Sequence, residues 1–331
     1  MHKKLIFLIL ACAMVLSSCE EQKPTVQKEE WSIVLHAGAG GSQLMPKDTE
    51  DQYKIFLNEA LTVGKTILEN GGSALDAVEQ TVVYLENCPL FNAGKGAVMT
   101  MDGRHELDAS IMDGSNLMAG AVAGVTDIKN PVKAARLVME RTPHVLLIGE
   151  GASAFAREQG LEIVPNSYFT TEGKKAELAK LLEQHAQGEP HGTVGCVALD
   201  KNGNIAAATS TGGMAGKKWG RVGDAPIIGA STIANNDVVG VSSTGHGELW
   251  IRQSVAHDIY ALMDYKGLSL KEAAHEVIWN KIDKMEGSGG GVICIDKNGE
   301  IVMEFDTKVM NRAWAKSSGE CGAAVNPVVS E

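Results

Sequence analysis

One junction, Gly192-Thr193, constrains what this chain can fold into more than any other feature. A polar segment at residues 170–190, which looks unstructured, precedes the junction, and an apolar stretch at residues 194–199 follows it. Residues 200–208 then supply an Asp-Lys-Asn-Gly turn and a second apolar run, which completes a predicted β-hairpin. The sequence therefore predicts that Gly192-Thr193 lies where a loop enters a buried strand.

A Gly-Thr junction at such a border suits a chain that cleaves itself there. Gly192 permits strained backbone geometry at little cost. Cleavage would leave Thr193 as a new N-terminus, and its free α-amine would then serve as the base for its own hydroxyl group. On these two residues alone, an ordinary hairpin strand that begins with Gly-Thr is the alternative. Other parts of the sequence are needed to distinguish it from a self-cleavage site.

The remainder of the chain predicts a layered fold of helices and paired strands. The glycine-rich turn at residues 37–41 follows a strand but does not fit Gly-x-Gly-x-x-Gly, which excludes a dinucleotide-binding motif. Hairpin-like pairs of strands indicate antiparallel pairing of the strands, and the order of strands and helices indicates a layered fold. The predicted elements are a strand at residues 31–36, helices at 53–70 and 73–87, strands at 105–113 and 117–125, a helix at 134–141, a strand at 145–148 and a helix at 152–159.

Composition excludes some classes of partner. The formal net charge of the 331 residues is −11, which argues against nucleic acid and against an anionic membrane surface as partners. A hydrophobic content of 44% is enough for a large buried core. The cysteines at positions 88, 196, 294 and 321 match no zinc-binding spacing, and we expect them to be buried free thiols.

The first 30 residues read as a targeting segment. Lys3 and Lys4 precede an apolar run at residues 5–15, which is too short to span a bilayer. Leu16-Ser17-Ser18-Cys19 resembles the lipobox of bacterial lipoproteins. This resemblance implies a signal peptide at residues 1–18, lipidation of Cys19, a polar tether at residues 19–30, and a membrane-anchored protein on the periplasmic or outer-membrane side. A plain secretory signal is the alternative.

An apolar loop punctuated by glycine, at residues 88–98, buries main-chain carbonyl groups that need partners. A hard cation coordinated by those oxygen atoms would satisfy them. A packed loop with internal hydrogen bonds would satisfy them as well, so both interpretations stay open at this point.

The densest group of chemically active residues follows Thr193. Residues 208–214 end a strand in a hydroxyl-rich turn, and residues 220–226 place Arg221 and Asp224 around glycine. Residues 241–248 form a predicted strand that runs into a helix predicted at residues 248–263. Together these stretches supply a nucleophile, a second hydroxyl to orient it, a cation and an anion for a zwitterion, and a helix-entry amide for an oxyanion.

These stretches, with Gly192-Thr193-Val194-Gly195, resemble the plant-type L-asparaginase/isoaspartyl peptidase family of N-terminal-nucleophile hydrolases. Residues 87–98 and 105–109 resemble the family too, and matching stretches run from about residue 31 to residue 310. The resemblance implies an α+β fold, a four-layer αββα sandwich, formed by residues 31–331 as a single domain. It also implies self-cleavage into an α chain, residues 19–192, and a β chain, residues 193–331, that assemble as an (αβ)2 dimer.

The resemblance assigns roles position by position. No cofactor is implied for catalysis, but a structural sodium ion is, held by main-chain oxygen atoms of Leu85, Glu86, Cys88, Phe91, Ala93 and Lys95. The catalytic and binding roles are Thr193 as nucleophile, Thr211 as the residue that tunes its hydroxyl, Arg221 for the substrate α-carboxylate, Asp224 for the α-ammonium, Thr244 and Gly245 as oxyanion hole, and Gly247 as a further substrate contact. His246, beside the oxyanion hole, is either a substrate contact or a histidine at the start of a helix.

Three functions compete. The favoured one is hydrolysis of β-aspartyl (isoaspartyl) peptides and L-asparagine, with a small molecule or dipeptide as substrate. The second is aspartylglucosaminidase, whose family pattern usually has Asp where Gly192 stands. The third, from a different class, is a non-catalytic surface lipoprotein on a hydrolase scaffold.

Overall fold

The computed structural model describes residues 28–40, 43–184 and 192–327. The predicted signal peptide, the lipidation site Cys19 and most of the predicted tether lie outside the described residues. Among the described helices, none is both long enough and apolar enough to cross a membrane.

Twelve strands and eight α-helices form within the described ranges. The strands are β1 (Ser32–Gly40), β2 (Leu107–Asp113), β3 (Met118–Val125), β4 (Leu146–Ile148), β5 (Val194–Leu199), β6 (Ile205–Thr211), β7 (Thr232–Ala234), β8 (Val239–Gly245), β9 (Gly290–Asp296), β10 (Ile301–Phe305), β11 (Val309–Lys316) and β12 (Cys321–Ala324). The helices are α1 (Lys47–Glu69), α2 (Ala74–Asn87), α3 (Pro131–Arg141), α4 (Gly149–Glu158), α5 (Glu172–Gln184), α6 (Gly247–Gln253), α7 (Val255–Lys266) and α8 (Leu270–His275), with 3₁₀ turns at Gly94–Gly96 and Asn166–Phe169 and a π-helical turn at Glu276–Ile282.

The strands form two sheets that pack face to face. The larger sheet has the order β12-β11-β1-β5-β6-β2-β3-β4, and the smaller has the order β10-β9-β8-β7. Helices α1, α2 and α3 cover the outer face of the larger sheet, and α7 and α8 cover that of the smaller. The αββα sandwich implied by the resemblance is confirmed.

Alternation along the central strands builds two separate cores. In β1, Ile33 and Leu35 pack against the helices, whereas Val34 packs between the sheets. In β5, Cys196 packs against the helices and Val197 packs between the sheets. This division follows from the two-residue period of a strand, because successive side chains point to opposite faces. Strand β5 therefore lies in the middle of the molecule, between β1 and β6.

The prediction that residues 170–190 are unstructured is wrong over most of that range, because residues 172–184 form helix α5. Its residues from Lys174 onward are mainly Lys, Ala, Glu and Leu, which have high helix propensity. No residue of α5 is buried. Its polar composition therefore reflects a solvated helix and not a loop.

Two other predictions fail in detail. Residues 37–40 do not form a turn but continue β1, past an irregularity between His36 and Ala39 where Gly38 has φ +105°. The helix predicted at residues 248–263 is broken at Ser254, which has φ 49°. Trp250 and Val255 are both fully buried. In one continuous helix they would lie about 140° apart, so the break allows both to face the core.

The cysteine prediction holds for three positions and is wrong for the fourth. Cys88, Cys196 and Cys294 are free and buried, and the latter two lie in β5 and β9. Cys321 is free but exposed, because it begins β12 at the edge of the larger sheet. Strands β7 and β9 to β12 are not among the predicted elements.

Candidate active site

Thr193 lies directly before β5, at the centre of the larger sheet, and is only 5% exposed. The residue before it, Gly192, packs backbone to backbone against Gly38 of β1. A Cβ atom at Gly192 would lie 2.3 Å from the Gly38 Cα atom, which is closer than any real contact. Glycine is therefore required at both Gly192 and Gly38, where the two backbones approach each other.

Three threonines from three strands meet at this point. The Thr193 hydroxyl donates to the Thr211 hydroxyl at 3.2 Å, and the Thr193 main-chain N–H donates to the Thr244 hydroxyl at 3.0 Å. The Thr211 hydroxyl also accepts from the Gly213 N–H at 3.0 Å. Thr211 belongs to the larger sheet and Thr244 to the smaller. The proposed nucleophile is therefore held from both layers of strands.

A buried histidine, His36 of β1, fixes the main chain of Thr193. Its Nδ1–H donates to the Thr193 carbonyl oxygen at 2.8 Å, so its Nε2 accepts from the Ser242 hydroxyl at 3.0 Å. Burial lowers the pKa of His36 to about 3, so the ring is neutral. A Cβ atom at Gly195 would lie 2.5 Å from Nε2. Sequence reasoning placed His36 in a strand and gave it no role.

A chain of buried hydroxyl groups continues from His36 between the two sheets. Ser242 bonds to Thr209 at 2.7 Å, and Thr209 bonds to Thr232 at 2.6 Å. Ser110 donates to the carbonyl oxygen of Ala225 at 2.6 Å, and its hydroxyl also lies 2.8 Å from the Thr232 hydroxyl. Ala225 follows Asp224, so the network joins the support of Thr193 to the loop that carries the predicted anion.

Five of the predicted site residues line one small cavity, whereas Thr244 is fully buried and contacts Thr193 from outside its lining. Thr193, Thr211, Arg221, Asp224 and Gly245 border it, together with Gly213, Met214 and Gly223. Gly247 also lies at its edge, because a Cβ atom there would lie 2.8 Å from Arg221 and 2.9 Å from the Asp224 carboxylate. The start of β5 and the loop after β6 thus bring a hydroxyl nucleophile, a cation and an anion together.

Arg221 is held by a residue that sequence reasoning did not assign, Glu248. Its Nε and Nη2 atoms donate to the two carboxylate oxygens of Glu248 at 2.9 and 2.8 Å. The hydrogen bond from Arg221 lowers the pKa of Glu248. The remaining Nη1 atom lies near Gly223, where a Cβ atom would be 2.8 Å away. One edge of the guanidinium is therefore fixed, and the other faces the glycine-lined cavity.

Asp224 has the properties expected of a binding site for an ammonium group. Burial raises the pKa of its carboxyl to about 6. Among the described residues, its Oδ2 atom has no hydrogen-bond partner. A buried carboxylate oxygen without a partner is costly, and a ligand that carries N–H donors would satisfy it.

His246 lies beside the cavity and not among its lining residues. Its Nδ1–H donates to the Gly287 carbonyl oxygen at 3.0 Å, and its Nε2 lies 3.2 Å from Glu248. It precedes α6 but makes no capping hydrogen bond. Its contact with the cavity therefore runs through Glu248 and Arg221.

The loop predicted to hold sodium packs two of its glycines against main-chain oxygens. Glycine keeps side chains away from two of these oxygens, since a Cβ atom at Gly94 would lie 2.2 Å from Glu86 O and one at Gly96 would lie 2.1 Å from Phe91 O. Ala93 N–H donates to Phe91 O at 2.9 Å and Gly96 N–H donates to Ala93 O at 3.2 Å, so the loop also contains internal hydrogen bonds. No group of three or more acidic, His or Cys side chains suited to a metal occurs in the described part of the chain.

The same loop contacts the cavity through Asn92. Its side-chain Nδ2 donates to the Gly213 carbonyl oxygen at 2.8 Å, and its own carbonyl oxygen accepts from the Gly212 N–H at 3.0 Å. Its Oδ1 accepts from the Val98 N–H at 2.9 Å. The loop therefore helps to position the turn that follows Thr211.

The chain is similar to known proteins over most of its length. Residues 29–323 match the family described as asparaginase. The chain is 50% identical over 298 residues to an isoaspartyl peptidase of Salmonella typhimurium, a match that covers 85% of this chain and 94% of that protein. It is 50% identical over 295 residues to an isoaspartyl peptidase of Escherichia coli, covering 85% and 92%. A human isoaspartyl peptidase/L-asparaginase is 42% identical over 302 residues, covering 89% and 96%.

The neutral state of His36 predicts how stability depends on pH. The folded protein leaves the ring unprotonated down to a pKa of about 3, whereas the unfolded chain protonates it near 6.5. Stability from this group is thus present above pH 6.5 and is lost as the pH falls toward 3. Between pH 7 and pH 5 the loss is about 2 kcal/mol. His36→Gln should remove this part of the pH dependence, as measured by urea unfolding.

His257→Gln, which changes an exposed histidine, serves as the control and should keep the wild-type pH dependence. The same slope in His36→Gln as in the wild type would contradict the neutral, buried histidine.

Proposed function

The chain belongs to the asparaginase family, and we propose that it hydrolyses the side-chain amide bond of L-asparagine and of β-aspartyl peptides. One observation carries this proposal. The Thr193 hydroxyl lies next to Thr211 in a cavity that also contains Arg221 and Asp224. A hydroxyl nucleophile beside a cation and an anion suits a substrate with a free α-amino acid end and a reactive side-chain carbonyl group.

Substrate recognition uses the two charges. The α-carboxylate binds the edge of Arg221 that Glu248 leaves open, in a charge-assisted hydrogen bond. The α-ammonium donates to the Oδ2 atom of Asp224. L-Asparagine and β-aspartyl peptides present the same two groups, so the same pocket accepts both.

The nucleophile is generated by cleavage between Gly192 and Thr193. The Thr193 hydroxyl attacks the Gly192 carbonyl, and hydrolysis of the resulting ester yields the α chain, residues 19–192, and the β chain, residues 193–331. The new α-amine of Thr193 then accepts the proton of its own hydroxyl. Because an unassisted hydroxyl has a pKa far above neutrality, this amine is the group that makes attack possible at neutral pH.

Turnover proceeds through an acyl-enzyme. The Thr193 Oγ atom forms a bond to the side-chain carbonyl carbon, and the Thr244 hydroxyl and Gly245 stabilise the oxyanion. The C–N bond breaks, and the leaving ammonia or amine takes up the proton held by the Thr193 amine. Water then hydrolyses the ester, while Thr211 keeps the Thr193 oxygen oriented.

The two competing functions receive less support. In the aspartylglucosaminidase pattern, Asp stands at position 192, where a Cβ atom would lie 2.3 Å from the Gly38 Cα atom. A non-catalytic lipoprotein would have no need of the aligned hydroxyls of Thr193 and Thr211.

Steady-state kinetics on L-asparagine, β-Asp-Leu and an aspartyl-glucosamine conjugate test the proposal. We expect hydrolysis of the first two and little of the third. Thr193→Ala should abolish turnover and leave an unbroken chain, whereas Thr211→Ala should still be cleaved and lose about 10²-fold in kcat, comparable to the loss of one positioned hydrogen bond.

Thr62→Ala, which changes an exposed threonine of α1, should leave all rates unchanged. A wild-type protein that acts only on the conjugate would favour aspartylglucosaminidase, and one that acts on none would favour a non-catalytic role.

A structural sodium ion would complete the loop of Leu85, Glu86, Cys88, Phe91, Ala93 and Lys95 through main-chain oxygens, and would hold Asn92 in place. The ion would take no part in the reaction itself.

Replacing choline chloride by NaCl should raise Tm by about 2 °C or more. Gly94→Ala should abolish the difference, because its Cβ atom would lie 2.2 Å from Glu86 O. Gly151→Ala, where the added Cβ meets nothing within 4 Å, is the control. Equal Tm values in both salts would contradict the ion.

We also propose that Cys19 is lipidated and anchors the protein to a bacterial membrane. The proposal rests on the lipobox-like sequence Leu16-Ser17-Ser18-Cys19. Cys19→Ser should move the protein to the soluble fraction with its activity intact, while Cys321→Ser, which removes an exposed thiol, should not. Membrane association that persists in Cys19→Ser would contradict the anchor. The (αβ)2 dimer stays a prediction.

A further inference from the structure

We propose that a second cavity, which is lined by Gly192 next to Thr193, binds the leaving amino acid of β-aspartyl dipeptides, with Lys174 as the partner of its α-carboxylate. This inference rests on the proposed function. The cavity has a volume of about 500 Å³, and Gly192 lines it, whereas Thr193 lines the catalytic cavity. The two cavities are therefore lined by consecutive residues at the cleavage junction.

The two halves of a dipeptide substrate need different surroundings. The aspartyl half fills the small cavity that contains Arg221 and Asp224. When the amide C–N bond breaks, L-asparagine releases only ammonia, whereas β-Asp-Leu releases leucine. That amine takes the proton from the Thr193 amine and carries a carboxylate and an aliphatic side chain. Its atoms must occupy space on the far side of the scissile bond, and the larger cavity provides it.

The lining of the larger cavity matches such a leaving group. Met45, Leu90, Phe91 and Val309 supply apolar surface. An apolar wall with a few placed polar groups is typical of a small-molecule site. Among the described residues that line the cavity, Lys174 alone has a charged side chain, and the proposed cleavage would add the carboxylate of Gly192. A cationic side chain against an apolar wall favours a ligand that places an anionic group near Lys174 and an apolar body on the wall.

Lys174 is positioned to make this contact. It lies in the first turn of α5, where its main-chain N–H donates to the Thr171 hydroxyl at 3.3 Å. Its ammonium group donates to Glu177 at 2.9 Å, and its side chain is 19% exposed. An ammonium has three N–H donors, so two remain beyond the bond to Glu177. A carboxylate that enters the cavity gains a charge-assisted hydrogen bond there.

The proposal predicts a change that depends on the substrate. Lys174→Met keeps the length of the side chain and removes its charge. We expect kcat/KM for β-Asp-Leu to fall about tenfold, mainly through KM, because one charged contact made in both the ground state and the transition state is lost. Hydrolysis of L-asparagine should not change, since ammonia leaves nothing in the larger cavity. β-Asp-leucinamide, which lacks the carboxylate, should be hydrolysed equally by both proteins.

The matched control is Lys175→Met, one position along α5, where the ammonium pairs with Glu172 on the exposed face. It should leave all three substrates unaffected. Unchanged β-Asp-Leu kinetics in Lys174→Met, or an equal loss on L-asparagine, would overturn the subsite. A wild-type protein inactive on every substrate would instead refute the proposed function, so the two failures are distinguishable.

Discussion

The hydrogen bond from His36 to the Thr193 carbonyl is the interaction on which the site depends. It fixes the main chain at the point where β5 begins, and it requires a neutral ring that donates from Nδ1. That tautomer in turn requires a donor at Nε2, which Ser242 supplies from the second sheet. Gly195 leaves room for this contact. The packing of one sheet on the other therefore sets the position of the proposed nucleophile.

The polar side chains around the neutral His36 ring are of two kinds, uncharged hydroxyl groups and charged groups. The groups beneath Thr193 are hydroxyls, which form hydrogen bonds without adding a buried charge. Of the charged groups, Arg221 is compensated by Glu248 through two hydrogen bonds. Asp224 is buried, and its Oδ2 atom has no hydrogen-bond partner among the described residues. The protein thus orients one cation in advance and leaves one anion for the substrate.

The sequence predicted the parts of the site that are local in the chain. Gly192-Thr193, Thr211, Arg221 and Asp224 were found because each lies in a short motif at the end of a strand or in a glycine turn. The sequence could not predict the partners that only the fold brings close. Glu248 reaches Arg221 from 27 positions away, and His36 reaches Ser242 from 206. Helix α5 was missed because a solvated helix lacks an apolar face.

N-terminal sequencing of the purified protein tests the central claim most directly, namely that Thr193 becomes the N-terminal nucleophile. We expect two chains, the smaller of which begins Thr193-Val194-Gly195. A catalytically active protein that remains a single chain through Gly192 and Thr193 would contradict it, because the α-amine that serves as the base would then not exist.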